Sequence, residues 1–153
     1  MTVHYDPPDT AARRMNTVIG LLAEWGISIA GTRALWVRGR RSGVTRRVVV
    51  NVMRVDGGDY VVSPRGNTEW SRNARAAGIV EIGPRWRRHP AVVTEVADES
   101  KPELLRRYLQ RWYWEVKGHA AGLTADAGTA ELRAAAPLIP VFALGASPGR
   151  RAR

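Results

Sequence analysis

A run of valines at Val48, Val49, Val50 and Val52, continued by Met53 and Val55, constrains the fold more than any other stretch of this chain. β-branched residues on consecutive positions suit a strand covered on both faces rather than one with a wet side. Directly before it the sequence reads Arg38-Gly39-Arg40-Arg41-Ser42-Gly43-Val44-Thr45-Arg46-Arg47, five guanidinium groups in ten residues. Ser42-Gly43 permits a tight turn whose backbone N–H groups join the arginines in facing an anion. The two features together make a cationic hairpin tip fixed to a rigid sheet. An anion site and a solvated hairpin tip both fit that pattern, which does not match the phosphate loop of nucleotide hydrolases.

Turn and cap signals divide the rest of the chain. Residues 34–38 and 47–55 read as strands joined by the cationic loop, and Asp56-Gly57-Gly58-Asp59 turns into a third strand over 60–63 that Pro64 stops. Asn67 caps a short helix reaching Ala77, with Gly78 at its end, and strands over 79–82 and 86–96 follow on either side of Gly83-Pro84. Ser100-Lys101-Pro102-Glu103 has capping-box spacing, and Leu105, Tyr108, Leu109, Trp112 and Val116 share one stripe, which predicts a helix over 100–117. The alanine-rich stretch 125–136 adds a helical turn or two, and 139–144 reads as the last strand. The sum is a mainly β fold with peripheral α, six strands in a meander forming a small barrel closed by the final strand. The barrel domain spans 30–145. Ahead of it, in 1–29, an amphipathic helix over 10–25 packs on the domain, with membrane-surface contact as the alternative, and 146–153 reads as a disordered basic tail.

The 153 residues carry 24 Lys and Arg against 14 Asp and Glu, a formal charge of +10 with pI near 11.2. Only Lys101 and Lys117 are lysines, so the cationic groups favour bidentate contact with phosphate or carboxylate, and a polyanionic partner is expected. There is no cysteine, which removes disulfides, thiolate metal sites and cysteine nucleophiles, fits a cytoplasmic protein, and leaves redox chemistry to a bound cofactor. His4, His89 and His119 lack ligand spacing, so no metal is expected, and no serine sits in a nucleophile elbow. Apolar runs are too short to span a bilayer. Trp36, Tyr60 and Trp86 alternate with arginines in a way that also suits a nucleic-acid-stacking module, although no helix-turn-helix, zinc or RNA-recognition pattern accompanies them.

Several short segments, in their order and spacing, carry a resemblance. Gly39, Arg40, Arg41, Ser42, Gly43 and Arg46 lead into the buried strand. Asp56-Gly57 turns into a strand ending at Ser63, Arg65-Gly66 follows, Trp70 and Asn73 stand three apart, and Ile139-Pro140-Val141-Phe142-Ala143-Leu144 comes last. Residues 30–145 thereby resemble the deazaflavin-dependent nitroreductase group of the flavin and deazaflavin oxidoreductases, which have a split β-barrel fold. Trp70 stands between Glu69 and Ser71 where the family more often has Pro and Tyr, and Asn67 replaces a glycine.

The resemblance implies coenzyme F-420, an 8-hydroxy-5-deazaflavin with a phosphodiester and an oligoglutamate tail, with FMN or haem as the alternative ligand. By that analogy Arg40, Arg41 and Ser42 cradle the phosphate and Arg38 and Arg46 meet the acidic tail. Ser63, Arg65 and Gly66 face the ring, and Trp70 and Asn73 either touch the cofactor or pack. The implied reaction passes a hydride between the reduced coenzyme and a flat conjugated small molecule such as a quinone, enone or nitroaromatic, in a monomer or homodimer. The acceptor is expected between the 63–70 loop and a helix carrying Tyr108, Trp112, Tyr113 and Trp114. On that helix Tyr108 and Trp112 lie on the apolar stripe and read as core, which leaves Tyr113 as the candidate proton donor.

Overall fold

The computed structural model describes residues 31–147, so the helix expected over 10–25 and positions 148–153 lie outside the described residues. Six antiparallel strands close into a barrel: β1 (Thr32–Arg38), β2 (Thr45–Val55), β3 (Gly58–Val62), β4 (Ile79–Ile82), β5 (His89–Glu95) and β6 (Val141–Ala146). Three helices accompany them, α1 (Glu69–Ala77), α2 (Lys101–Val116) and α3 (Thr129–Ala135). The order round the barrel is β1-β2-β3-β6-β5-β4, so the expected meander holds within β1–β3 and within β4–β6 and is interrupted only between β3 and β4. The final strand lies between β3 and β5, and the ring is completed by β1 against β4, where Leu35 faces Ile82 and Trp36 faces Glu81.

As the valine run requires, β2 is covered on both sides. Val48, Val50 and Val52 point into the barrel with Leu35, Val37, Val61, Val80, Ala91 and Phe142, and α1 adds Trp70 and Ala74 to that interior. Met53 and Val55, of opposite parity on the strand, pack outward under Leu105, Tyr108, Leu109 and Trp112 of α2 and Leu132 of α3. Val49 joins Ala34 and Trp36 in a small third cluster.

Local chemistry moves several element boundaries. Thr68, not Asn67, caps α1, its Oγ1 accepting from the Ser71 N–H at 3.4 Å, while Asn67 Oδ1 accepts from the Arg75 guanidinium at 3.2 Å. Ser100 makes no side-chain cap, because a 3-10 turn over Asp98–Ser100 precedes the helix; Lys101 is buried instead, with Nζ 2.7 Å from Asp98 Oδ1 and donating to the Ala136 carbonyl at 2.9 Å. β5 starts at His89 rather than at Trp86, since the Arg87 N–H donates to the Pro84 carbonyl and holds 84–87 in a turn. Trp86 is thus 63% exposed off the sheet, whereas Trp36 is buried with the Arg88 guanidinium 3.7 Å from its ring centre, so Trp36, Tyr60 and Trp86 form no exposed aromatic row. α2 is kinked at Trp112, whose φ of −124° and ψ of 16° break the helical repeat.

Candidate functional site

β2 is longer than either neighbour needs. It pairs with β1 from Thr45 to Asn51 but with β3 only from Val52 to Val55, so between Val48 and Asn51 no described strand covers its second edge. Along that edge runs a cavity of about 560 Å3, within the size range of sites that take a cofactor-sized molecule. Its other walls are the end of β3 and the chain after it (Val62, Ser63, Pro64, Arg65), the first turns of α1 (Glu69, Trp70, Asn73), and the middle and end of α2 with the chain beyond it (Tyr108, Glu115, Val116, His119).

The cavity has two chemically different ends. Arg46 and Arg47 stand at the hairpin end of β2, and Asn51 lies five residues along the strand, about 16 Å at the usual strand rise. Next to Asn51 are Tyr108 and Glu115; Asn51 Nδ2 donates to Glu115 Oε2 at 3.0 Å. Burial pushes the Tyr108 phenol well above its ordinary value, the Glu115 charge adds to that, and the Asn51 side chain opposes it. Between the ends the floor is apolar, from Val48, Val50 and Val62.

The hairpin that carries the arginines is ordered by its own backbone, the Gly39 N–H donating to Val44 O at 2.9 Å and the Gly43 N–H to Gly39 O at 3.0 Å. Ser42 Oγ accepts from the Val44 N–H at 3.2 Å. Arg40 ties the hairpin to α1: its Nη1 donates to Asn73 Oδ1 at 2.7 Å and to Glu69 Oε2 at 2.9 Å, and its backbone N–H also reaches Asn73 Oδ1 at 3.1 Å. That hydrogen bond and charge from Arg40, with smaller contributions from Arg72 and Arg41, hold the Glu69 carboxyl below its ordinary value. Arg38, Arg41 and Arg46 make no side-chain hydrogen bond or ion pair with another described residue.

Of the residues singled out in the sequence, Arg46, Ser63, Arg65, Trp70 and Asn73 lie on the cavity wall, while Arg38, Arg40, Arg41, Ser42 and Gly66 do not line it. Ser63 is fully buried and its hydroxyl is turned inward, donating to the Gly66 carbonyl at 2.6 Å beside Thr68 Oγ1 at 3.1 Å. Gly66 takes φ of 95°, which closes this tight loop and which a side chain would resist. Trp70 both packs, 5.9 Å from the Phe142 ring, and faces the cavity. Asn73 likewise lines the cavity while bonding the hairpin.

On α2 the expected aromatic wall is rearranged. Trp112 is fully buried, Trp114 is 66% exposed, and Tyr113 packs at the border of the helix-side core, off the cavity wall. The kink at Trp112 breaks the regular projection from which the sequence reading placed these rings. Tyr108, read as core, is both core and cavity wall. Asn51 and Glu115 were not singled out, yet an Asn inside a valine-rich strand is itself a signal, since a buried amide needs a partner.

A family profile described as "F420H(2)-dependent quinone reductase" matches residues 10–122. The chain belongs to this family. As a member it is an F-420-dependent oxidoreductase, and the deazaflavin, not FMN or haem, is the cofactor class. No curated protein matches the chain. A solved structure described as a domain-swapped dimer is 18% identical, covers 91% of this chain and 99% of its own, and has a TM-score of 0.52. A protein of unknown function from Agrobacterium tumefaciens is 16% identical over 94% of this chain and 58% of its own, at a TM-score of 0.51. At such identities the likeness carries the fold alone. Among the described residues of this quinone reductase family member, no helix is long and apolar enough to cross a membrane, and no cluster of His, Asp or Glu is placed to hold a metal ion.

Proposed function

We propose that the cavity along the open edge of β2 holds coenzyme F-420 with its anionic tail toward Arg46 and its ring beside Pro64, Arg65 and Trp70, leaving the Tyr108 end for a quinone. The observation that carries this reading is the charge asymmetry of the cavity: arginines at one end, an apolar middle, and a Tyr-Asn-Glu group at the other. The residues fit such a ligand. Arg38, Arg41 and Arg46 keep their guanidinium forks uncommitted among the described residues, and forks of this kind grip phosphate and carboxylate bidentately. Arg40 acts differently, locking the hairpin to α1 through Asn73 and Glu69 so that its neighbours are held in place. Ser42 Oγ accepts from Val44 and keeps its hydroxyl proton to donate to a phosphate oxygen.

When bound, the reduced coenzyme supplies a hydride. Val48, Val50 and Val62 exclude water beneath a flat ring, and Trp70 bounds it from the α1 side. Reduction of a quinone to its hydroquinone takes the hydride and one proton. A phenol held far above its ordinary pKa is a poor acid but remains an O–H donor through the whole physiological range, so Tyr108 serves to hydrogen-bond and polarise a quinone carbonyl, and solvent supplies the proton. Tyr108, not Tyr113, thus meets the acceptor, as a hydrogen-bond donor rather than as the proton source. Reduced coenzyme F-420 is mixed with menadione with and without the protein, and recovery of the oxidised deazaflavin absorbance is followed. Protein-dependent acceleration is expected; an uncatalysed rate with menadione and with other quinones sinks the reading.

A further inference from the structure

We propose that Glu115, held by Asn51, is a specificity-determining residue that makes the acceptor end of the cavity select neutral quinones over anionic ones. The inference rests on the reading above and names its substrate class. Glu115 lines the cavity and receives the Asn51 Nδ2 hydrogen bond at 3.0 Å, but it has no ion pair with any described cation. The carboxylate is exposed at the cavity rim, is oriented by the Asn51 hydrogen bond, and is paired with no Arg or Lys among the described residues. Asn51 is only 6% exposed, and with its amide nitrogen given to Glu115 its Oδ1 is left with no partner of hydrogen-bonding geometry. An orphaned buried carbonyl oxygen costs stability, and a side chain that served only to fill the barrel wall would have both ends satisfied or be apolar. The arrangement makes sense as a device that holds a carboxylate at this point of the cavity wall.

Two consequences follow for a ligand. The arginines at the hairpin end attract an anion while Glu115 repels one, so a polyanionic cofactor is oriented tail-first toward Arg46. An acceptor bearing a sulfonate or carboxylate meets like charge at the far end, whereas a neutral quinone does not.

The test compares menadione with a sulfonated naphthoquinone, in the wild-type protein and in Glu115→Gln, whose amide oxygen still accepts from Asn51. Turnover is measured at saturating reduced coenzyme, and binding of both quinones is measured separately by tryptophan quenching with oxidised coenzyme present and absent. In Glu115→Gln the preference for menadione should shrink by roughly threefold to thirtyfold, the span for one like charge at ~8 Å between protein-like and water-like screening. The gain should belong to the sulfonated compound, in KM and Kd rather than kcat. An unchanged ratio, or equal changes for both quinones, overturns the inference while leaving the proposed function standing. Absence of turnover with either quinone overturns the proposed function, and the quenching ratio then still decides whether Glu115 selects by charge.

Discussion

Replacing Arg46 by Ala probes the cationic end of the cavity with little disturbance elsewhere. The side chain lines the cavity, is exposed, and makes no hydrogen bond or ion pair with a described residue, so no described contact of the fold depends on it. A surface change of this kind shifts stability by about 0.5 kcal/mol or less. If Arg46 grips the phosphate or acidic tail, its loss removes one charge-assisted contact, about 1.5–3 kcal/mol. That converts to roughly a tenfold to 150-fold rise in Kd. Screening at the exposed mouth, with a Debye length of about 10 Å at 0.1 M salt, places the expected value toward the lower end and makes it shrink as salt is raised. The control is Arg54→Ala, the same change of net charge at a guanidinium that pairs with Asp59 away from the cavity. Titration of oxidised coenzyme by tryptophan quenching at two ionic strengths should give a clear loss for Arg46→Ala and less than about a twofold change for Arg54→Ala. Equal losses in both variants would mean that a general positive field, not a built site, binds the cofactor, and no loss in either would refute the placement of the tail.

Three further outcomes are expected. Tyr108→Phe should lower kcat for menadione by roughly tenfold, the loss of one hydrogen bond to a developing charge, with coenzyme affinity unchanged, and the wild-type rate should show no phenol ionisation up to about pH 9 because burial keeps Tyr108 neutral. A bell-shaped pH profile that disappears in Tyr108→Phe would contradict this. Gly83→Ala should lower stability by about 2–3 kcal/mol in thermal or urea unfolding, because Gly83 holds φ of 119°, an added Cβ would lie 2.6 Å from the Arg87 carbonyl oxygen, and this residue bonds both Ala34 and the Trp36 indole where the barrel closes; a neutral result would undercut that account of closure. Glu95→Gln should cost less than about 1 kcal/mol at pH 7, since the Arg75–Glu95 pair is partly exposed. The Arg75 hydrogen bond lowers the Glu95 carboxyl in the folded state, so its contribution is present above the ordinary value of 4.5 and fades as pH falls through the lower folded value; urea midpoints of the two proteins should converge in acid and differ at neutrality.

The barrel strands and α2 were legible in the sequence because their signals are local: consecutive valines, Asp-Gly turns, and an apolar stripe opened by proline. How the two three-strand halves join was not, because nothing local says that β6 pairs with β3 or that β4 reaches β1. At the site, charge and turn chemistry located the arginine hairpin, but which guanidinium faces the cavity depends on Asn73 and Glu69 of α1, some thirty residues away, claiming Arg40. At the other end the residue that lines the cavity differs from the one the sequence pattern pointed to, for a backbone reason. A regular helix assigns Tyr108 to the core and Tyr113 to the open side, whereas the kink at Trp112 breaks that repeat and the open edge of β2 turns Tyr108 into a wall residue. Asn51 was visible as a polar residue among valines, but its partner Glu115 is 64 residues on and carries no signal until the fold joins them.

A crystal structure of the protein with oxidised coenzyme F-420 and a quinone tests the central claim most directly. The phosphate or glutamate tail should lie within hydrogen-bonding distance of Arg46, the ring against Val48, Val50 and Trp70, and the quinone at Tyr108. A tail lying toward Glu115, or a ring seated away from the open edge of β2, would contradict it.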